Sequence, residues 1–316
     1  MKSDTPLGIS LLIDFAFKLA FGNDKHVGPL VSLLNAILLP EFPIVEVTIL
    51  NPFNLEEYQD DKLSILDIKA RDARGAVYNI EMQISSTEAL PQRMTFYGCT
   101  LYSQQLGRGD SYVELSPVYV ICLLDDIHWK ETSSRHHRFR LHDSQTGLTL
   151  EETLEIHFLE LPKYNEREIE LNQATEVQRW VYLLRHAKDY ETERLRELFP
   201  EPEYQLVIDT LEEINMRTDY KDIYEAREKA RLDEIWRITA AERRGMAKGR
   251  EEGRQEGREE GREEGRQEGK LAGRVQTYQE MLMESVSSDE ELQLLTAEEL
   301  SSMLLELQRR LRERPA

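Results

Sequence analysis

The segment PVYVICLL (117–124) constrains the fold more than any other stretch of this chain. A strand with one wet face alternates polar and apolar residues. This run does not alternate, so it reads as a strand buried on both faces, inside a sheet. Partners for it are at hand. Residues 44–50 (IVEVTIL) alternate and are rich in β-branched side chains. Segments 63–70 (LSILDIKA) and 76–84 (AVYNIEMQI) read as two more strands, and Gly75 in the intervening DARG suits a hairpin turn whose third loop residue is left-handed. Further strands are expected at 136–141 and 154–159. Helical spacing of apolar residues marks 9–21, 27–39 (stopped by Pro40) and 87–106. In the first of these, Asp14 and Lys18 are spaced as an i,i+4 pair beside the apolar stripe.

From about residue 172 the pattern turns helical and highly charged, with segments at 172–188, 203–216 and 219–240. Glycine then recurs at every fourth position from Gly245 to Gly273, a low-complexity repeat. Each glycine inside a helix costs up to about 1 kcal/mol relative to alanine. Arg and Glu at three- and four-residue spacings oppose that cost. The expectation is a marginal, solvated helix or a flexible spacer. Two short amphipathic helices follow, near 275–284 and 297–311, the second opened by a Thr296/Glu299 capping box. Leu300, Met303, Leu304, Leu307 and Leu311 could join copies into a homo-oligomer, or pack within the chain. The division expected is 1–165, a helical extension 166–240, the repeat 241–274 and a terminal helical pair 275–316.

Charged residues make up 32% of the 316 residues, above the usual quarter, and most of the excess lies after residue 160, so the first half reads as the globular part. No apolar run reaches about 18 residues, so no membrane span is expected, and MKSDTPLGISLLIDF lacks the design of a signal peptide. Two cysteines, Cys99 and Cys122, are too few for a disulfide framework or a zinc site, which points to a reducing, cytoplasmic setting. The net charge of −20 argues against a general nucleic-acid binder. That objection weakens if the acidic excess lies away from a bound polyanion, and carboxylates are also what a hard metal ion requires.

The hairpin carries the chemistry. Ile65, Asp67 and Lys69 share one face of its first strand, and Glu81 and Gln83 share one face of its second. A three-residue loop at 73–75 pairs residue 72 with 76. Carried inward, that register sets Asp67 directly opposite Glu81, with Cβ atoms about 4.5–5.5 Å apart. Two carboxylates so placed repel unless a cation lies between them. Magnesium suits such a place, because it takes few carboxylates and keeps waters and phosphate oxygens. It can activate water and offset charge on a phosphate. In that reading Gln83 orients the water or a phosphate oxygen, and Lys69 adds positive charge. The alternative is an ordinary amphipathic hairpin with a wet polar face.

Several runs in order carry a resemblance. DFAFKLAFG (14–22), SLLNAIL (32–38), SILDIKARDARGAVYNIEMQ (64–83), RMTFYGCTLYSQQL (93–106) and SPVYVICLLD (116–125) resemble the Rpn family of recombination-promoting nucleases, also labelled transposases, within the PD-(D/E)XK superfamily. The resemblance covers about residues 5–165. It implies an α/β, restriction-endonuclease-like core, a mixed sheet flanked by helices, here followed by a helical C-terminal region. It also implies a metal-dependent DNA endonuclease promoting recombination, with Mg2+ or alternatively Mn2+ as cofactor and DNA as partner. By position Asp67 and Glu81 are the metal-binding acids. Gln83 stands where the superfamily usually has lysine, as is usual in this family's Glu-x-Gln pattern. Asp14 is an accessory acid or simply the ion partner of Lys18. Arg93 and Tyr97 would contact phosphate. Arg135 and Arg138 belong to the one locally basic stretch of the first half (128–142), which either touches the DNA backbone or guards a sheet edge. Two other functions compete: a DNA-binding protein with a decayed site, and a helical interaction protein. No separate DDE-type catalytic set is visible.

Overall fold

The computed structural model describes residues 5–53 and 67–313. The chain forms two compact units, residues 1–235 and 236–316.

In the first unit, helices α1 (Asp14–Phe21) and α2 (Gly28–Leu38) precede the sheet. The strands are β1 (Val47–Ile49), β2 (Ile68–Asp72), β3 (Val77–Gln83), β4 (Val118–Leu124), β5 (His136–Arg140) and β6 (Leu154–Glu160). Helix α3 (Leu90–Ser103) crosses between β3 and β4. Helices α4 (Glu176–His186), α5 (Thr192–Leu198) and α6 (Pro202–Met216) follow. Helix α7 (Thr218–Met281) begins in this unit and continues into the next.

The six strands are ordered β1-β2-β3-β4-β6-β5. β3, β4 and β6 run parallel, and β1, β2 and β5 pair antiparallel at the two sides. The centre is β4, whose side chains divide between two apolar clusters. Ile121 and Leu123 face the cluster of α1, α2, α4 and α6, with Trp180, Phe15 and Phe17 at its heart. Val118, Val120, Cys122 and Leu124 face the smaller cluster under Leu90 and Met94 of α3. The strand expected to be buried on both faces is so because each face carries its own helix layer. This is the mixed sheet flanked by helices, with a helical C-terminal region, that the resemblance implies.

Some boundaries move, for physical reasons. The first helix begins at Asp14 and not at residue 9, because Ser10 turns the chain: its Oγ accepts the Leu12 N–H at 3.2 Å and its carbonyl accepts the Ile13 N–H. The hairpin turn is as expected, with Gly75 at φ +92° and the Asp72 N–H donated to the Ala76 carbonyl. The expected strand residues 63–66, Ile65 among them, lie outside the described residues. Helix α5 was not legible as a separate element.

In the second unit the glycine repeat is helical throughout as part of α7, so the helix alternative is the one adopted. A Cβ added at any glycine from Gly245 to Gly273 would meet nothing within 4 Å. Val275 of α7 packs with Leu292 of α8 (Asp289–Gln293) and with Leu300, Leu304 and Leu307 of α9 (Ala297–Arg312). The terminal leucine stripe is therefore largely used within the unit. The capping box is formed: Thr296 Oγ1 accepts the Glu299 N–H, and Glu299 Oε2 accepts the Thr296 N–H.

Candidate active site

The site forms where the antiparallel β2–β3 pair reaches the end of its ladder. Ile68 pairs with Ile80 and Arg71 with Val77. One residue further, that register sets Asp67 opposite Glu81. Alternation along β3 puts Asn79, Glu81 and Gln83 on the face covered by α3, while Tyr78 and Ile80 point into the larger cluster. Asp67 is 8% exposed and Glu81 9% exposed.

Each carboxylate is held from its flanks. Gln83 Nε2 donates to Glu81 Oε2 at 2.9 Å, and Asn79 Nδ2 approaches Glu81 Oε1 at 3.5 Å. The Arg93 guanidinium donates in turn to Gln83 Oε1. Gln83 thus has both ends of its amide engaged and is a link between Arg93 and Glu81. Its second N–H and the second lone pair of its oxygen remain as capacity for a further partner. Arg93 reaches the site because α3 lays Leu90, Met94 and Tyr97 along the sheet, and Arg93 and Tyr97 share a face at i,i+4.

Asp67 is gripped by residues from two other elements. Asn51, just past β1, donates from Nδ2 to the Asp67 carbonyl at 3.1 Å and to its Oδ1 at 3.3 Å, while its own Oδ1 accepts the Lys69 N–H at 2.7 Å. Lys69 Nζ lies 3.6 Å from Asp67 Oδ2. Lys18 of α1 donates from Nζ to the Asp67 carbonyl at 2.6 Å. The expected Asp14–Lys18 pair is therefore corrected. Lys18 turns to β2, and Asp14 Oδ2 lies 3.8 Å from Arg227 of α7. The helix is buried nearly all round, so the two side chains leave it in different directions.

The electrostatics follow from burial. Desolvation, reinforced by the charge of Asp67, pushes the Glu81 carboxyl up to about 7 against the pull of Arg93, Asn79 and Gln83. Desolvation also lowers Lys18 to about 8, with Asp67 opposing and Lys69 assisting. Burial raises Asp14 against Arg227 and Arg231, and raises the Tyr97 phenol with help from Glu81.

Among the described residues no group of three or more His, Cys, Asp or Glu could hold a metal. The donors at this place are two carboxylates and neutral carboxamides, all oxygen on the accepting side. That set fits a hard cation which keeps waters and takes further oxygens from a substrate, and does not fit zinc. Asn79 Oδ1 supports the fit: it is buried beside Glu81 and has no hydrogen-bond partner among the described residues. Such an orphan is costly unless something electropositive meets it.

Arg135 and Arg138 lie elsewhere. Arg135 pairs with Glu166, and Arg138 and Arg140 of β5 pair with Glu155. Two strands separate β5 from β3. Sequence reasoning missed Lys18, Asn51 and Asn79 as site residues. For Lys18 a signal existed: DFAFKLAF is apolar on every side, which marks a buried helix, so its one lysine is buried too.

Compared with known proteins, residues 11–241 match the family model described as PD-(D/E)XK nuclease family transposase. The chain belongs to this family. No curated protein and no solved structure matches it. The PD-(D/E)XK match takes in the whole sheet and α1 to α6, and the mixed sheet with its helix layers is a restriction-endonuclease-like α/β fold. Membership gives the chain a nuclease- or recombination-related role. PD-(D/E)XK nucleases typically use divalent metals, and nuclease membership implies DNA as substrate. No helix among the described residues is long and apolar enough to cross a membrane.

Proposed function

We propose that this PD-(D/E)XK protein is a metal-dependent DNA endonuclease acting in recombination, with Asp67 and Glu81 holding Mg2+ or Mn2+. One observation carries the reading: two nearly buried carboxylates stand opposite one another across the β2–β3 ladder, and one of them is pushed up to about 7 by burial and by the other's charge. Such an arrangement is unfavourable for the fold alone and makes sense if a cation completes it.

A bound divalent ion would supply the Lewis acidity that makes water nucleophilic at neutral pH and would offset charge on the phosphate. The chain's part is to hold and orient. Asn51 fixes the Asp67 carboxylate, and Gln83 fixes Glu81 while tying Arg93 to it. Arg93 and Tyr97, on the face of α3 at the site, contact the DNA backbone and set its register, as phosphate contacts do. Lys69 adds positive charge next to Asp67. The water oxygen forms a bond to phosphorus and the bond from phosphorus to one ester oxygen breaks. The water's proton passes to solvent, and the departing oxygen takes one up, leaving a phosphate monoester and a hydroxyl.

The test is incubation of the full chain with supercoiled plasmid, in magnesium and in EDTA. Nicking is expected in magnesium alone, with Asp67→Ala slower by at least about 100-fold. Equal cutting by Asp67→Ala would remove the assignment.

A further inference from the structure

The strand position at which the PD-(D/E)XK pattern writes lysine holds Gln83 here. Three cations lie close by, and two of them are engaged. Lys69 is 33% exposed on its side chain and faces the Asp67 carboxylate, and Arg93 is bound to Gln83 Oε1. The third, Lys18, comes from the other helix layer and is 3% exposed, as buried as the two carboxylates. Among the described residues its hydrogen-bond acceptor is the neutral carbonyl of Asp67, not a carboxylate.

We infer that Lys18 is the lysine of this site: from α1 it supplies, beside Asp67, the positive charge that Gln83 does not carry on β3. The inference rests on the nuclease reading above. It draws on three features, the first two read from one hydrogen bond. The first is the cost of the placement. A buried ammonium that donates to a neutral carbonyl, and whose desolvation the nearby Asp67 charge offsets only in part, is costly, and a fold seeking stability alone would do better with an apolar side chain of the same size. Second, the position is aimed at the reaction, since the bond is made to the main chain of the residue proposed to hold the ion.

The third feature is the room made for it. Gly22 closes α1 at φ −98°, a conformation any residue adopts, so it is space and not the backbone angle that asks for a glycine there, first of all beside the Lys18 main chain. A Cβ at Gly22 would stand 2.6 Å from the Lys18 carbonyl oxygen, 3.1 Å from its Cδ and 3.4 Å from its Cε. The Lys18 stem folds back over the helix end through space that a side chain at Gly22 would narrow. In the reaction the ammonium offsets charge gathering on the non-bridging phosphate oxygens. No bond to lysine forms and its proton stays on nitrogen.

The experiment follows plasmid cleavage in magnesium by full-length wild type, Lys18→Met, Gln83→Lys and the double variant. DNA binding in calcium and the thermal midpoint are measured on each. Lys18→Met keeps the length of the stem and removes the charge. It is expected to slow cleavage about 100-fold, the usual cost of losing one preorganised electrostatic contact, with DNA affinity within about threefold of wild type. Adding Gln83→Lys should restore at least about tenfold, because the charge returns from the strand. Cleavage by Lys18→Met as fast as wild type would overturn the inference. So would a slow variant that Gln83→Lys does not help, since a lysine acting only as a prop cannot be replaced from β3. Should Lys18→Met not fold, Lys18→Gln serves instead: it removes the charge and keeps a hydrogen-bond donor, its loss must likewise be recovered by Gln83→Lys, and cleavage as fast as wild type would count against the inference. A wild type that never cuts would sink the nuclease reading and this inference together, whereas a cutting wild type with an unaffected Lys18→Met sinks this inference alone.

Discussion

Among single residues Glu81 carries the clearest energetic signature. Its carboxyl is raised from 4.5 to about 7, chiefly by desolvation. The folded chain therefore holds that proton more tightly than the unfolded chain. The resulting stability is fully present below about pH 4.5 and is lost as pH rises through 7, a swing of about 3 kcal/mol. Glu81→Gln, which cannot ionise, should in metal-free buffer be more stable than wild type at pH 8 by up to that amount, and no more stable at pH 4. Urea melts at the two pH values check this, and an unchanged difference between them would contradict the burial account. The Asp67–Glu81 opposition was legible because a two-residue period and a turn length fix a register. Lys18 was not. The apolar composition all round DFAFKLAF marks that its lysine is buried, but not which buried group it meets, and the i,i+4 reading assumed a solvated side. Asn51 and Asn79 were illegible for another reason: a carboxamide in a strand end looks the same whether it grips a carboxylate or faces water.

At the scale of elements, the site depends on how closely α3 lies on the sheet. Gly98 sets that distance. A Cβ there would stand 2.5 Å from Leu154 Cδ1 and 3.0 Å from Val120 Cγ2. Gly98→Ala should therefore lift α3 and cost about 1–3 kcal/mol, the usual penalty of overpacking. Cleavage should fall with it, since α3 brings Arg93 to Gln83. Phe96→Ala on the same helix, at a side chain 67% exposed, should change stability by no more than about 0.5 kcal/mol. Equal effects of the two substitutions in denaturant melts would contradict the packing described. Strands announced themselves well, because buried β4 and the alternating edge segments have distinct patterns. The glycine-periodic stretch did not decide between helix and spacer from sequence, since the glycine penalty and the i,i+3 and i,i+4 charge pairs are of similar size. Pairs such as Arg254–Glu251, Arg266–Glu263 and Lys248–Glu252 accompany the helix that forms.

For the whole molecule, charge poses the main constraint. Residues 236–316 hold 15 Lys and Arg against 18 Asp and Glu, so most of the net −20 falls on the unit that carries the site. Arg135 and Arg138, which sequence offered as backbone contacts, are matched by Glu166 and Glu155, and Glu155 also takes Arg140. A unit of such acidic balance cannot rely on lysine and arginine alone to hold a polyanion. Duplex binding should therefore depend on the divalent ion. At about 0.15 M salt, a fluorescence-anisotropy titration should give at least about tenfold tighter binding in calcium than in EDTA, and Asp67→Asn should abolish that difference. Equal affinity in the two buffers would mean that DNA is held by a surface other than this one.

The most direct measurement is the anomalous diffraction of a crystal soaked in manganese. The account expects one strong peak shared by an oxygen of Asp67 and an oxygen of Glu81, each at about 2.0–2.2 Å, the range of hard divalent ions with carboxylates. A peak placed elsewhere, or bare carboxylates at a manganese concentration that supports plasmid cleavage, would contradict it.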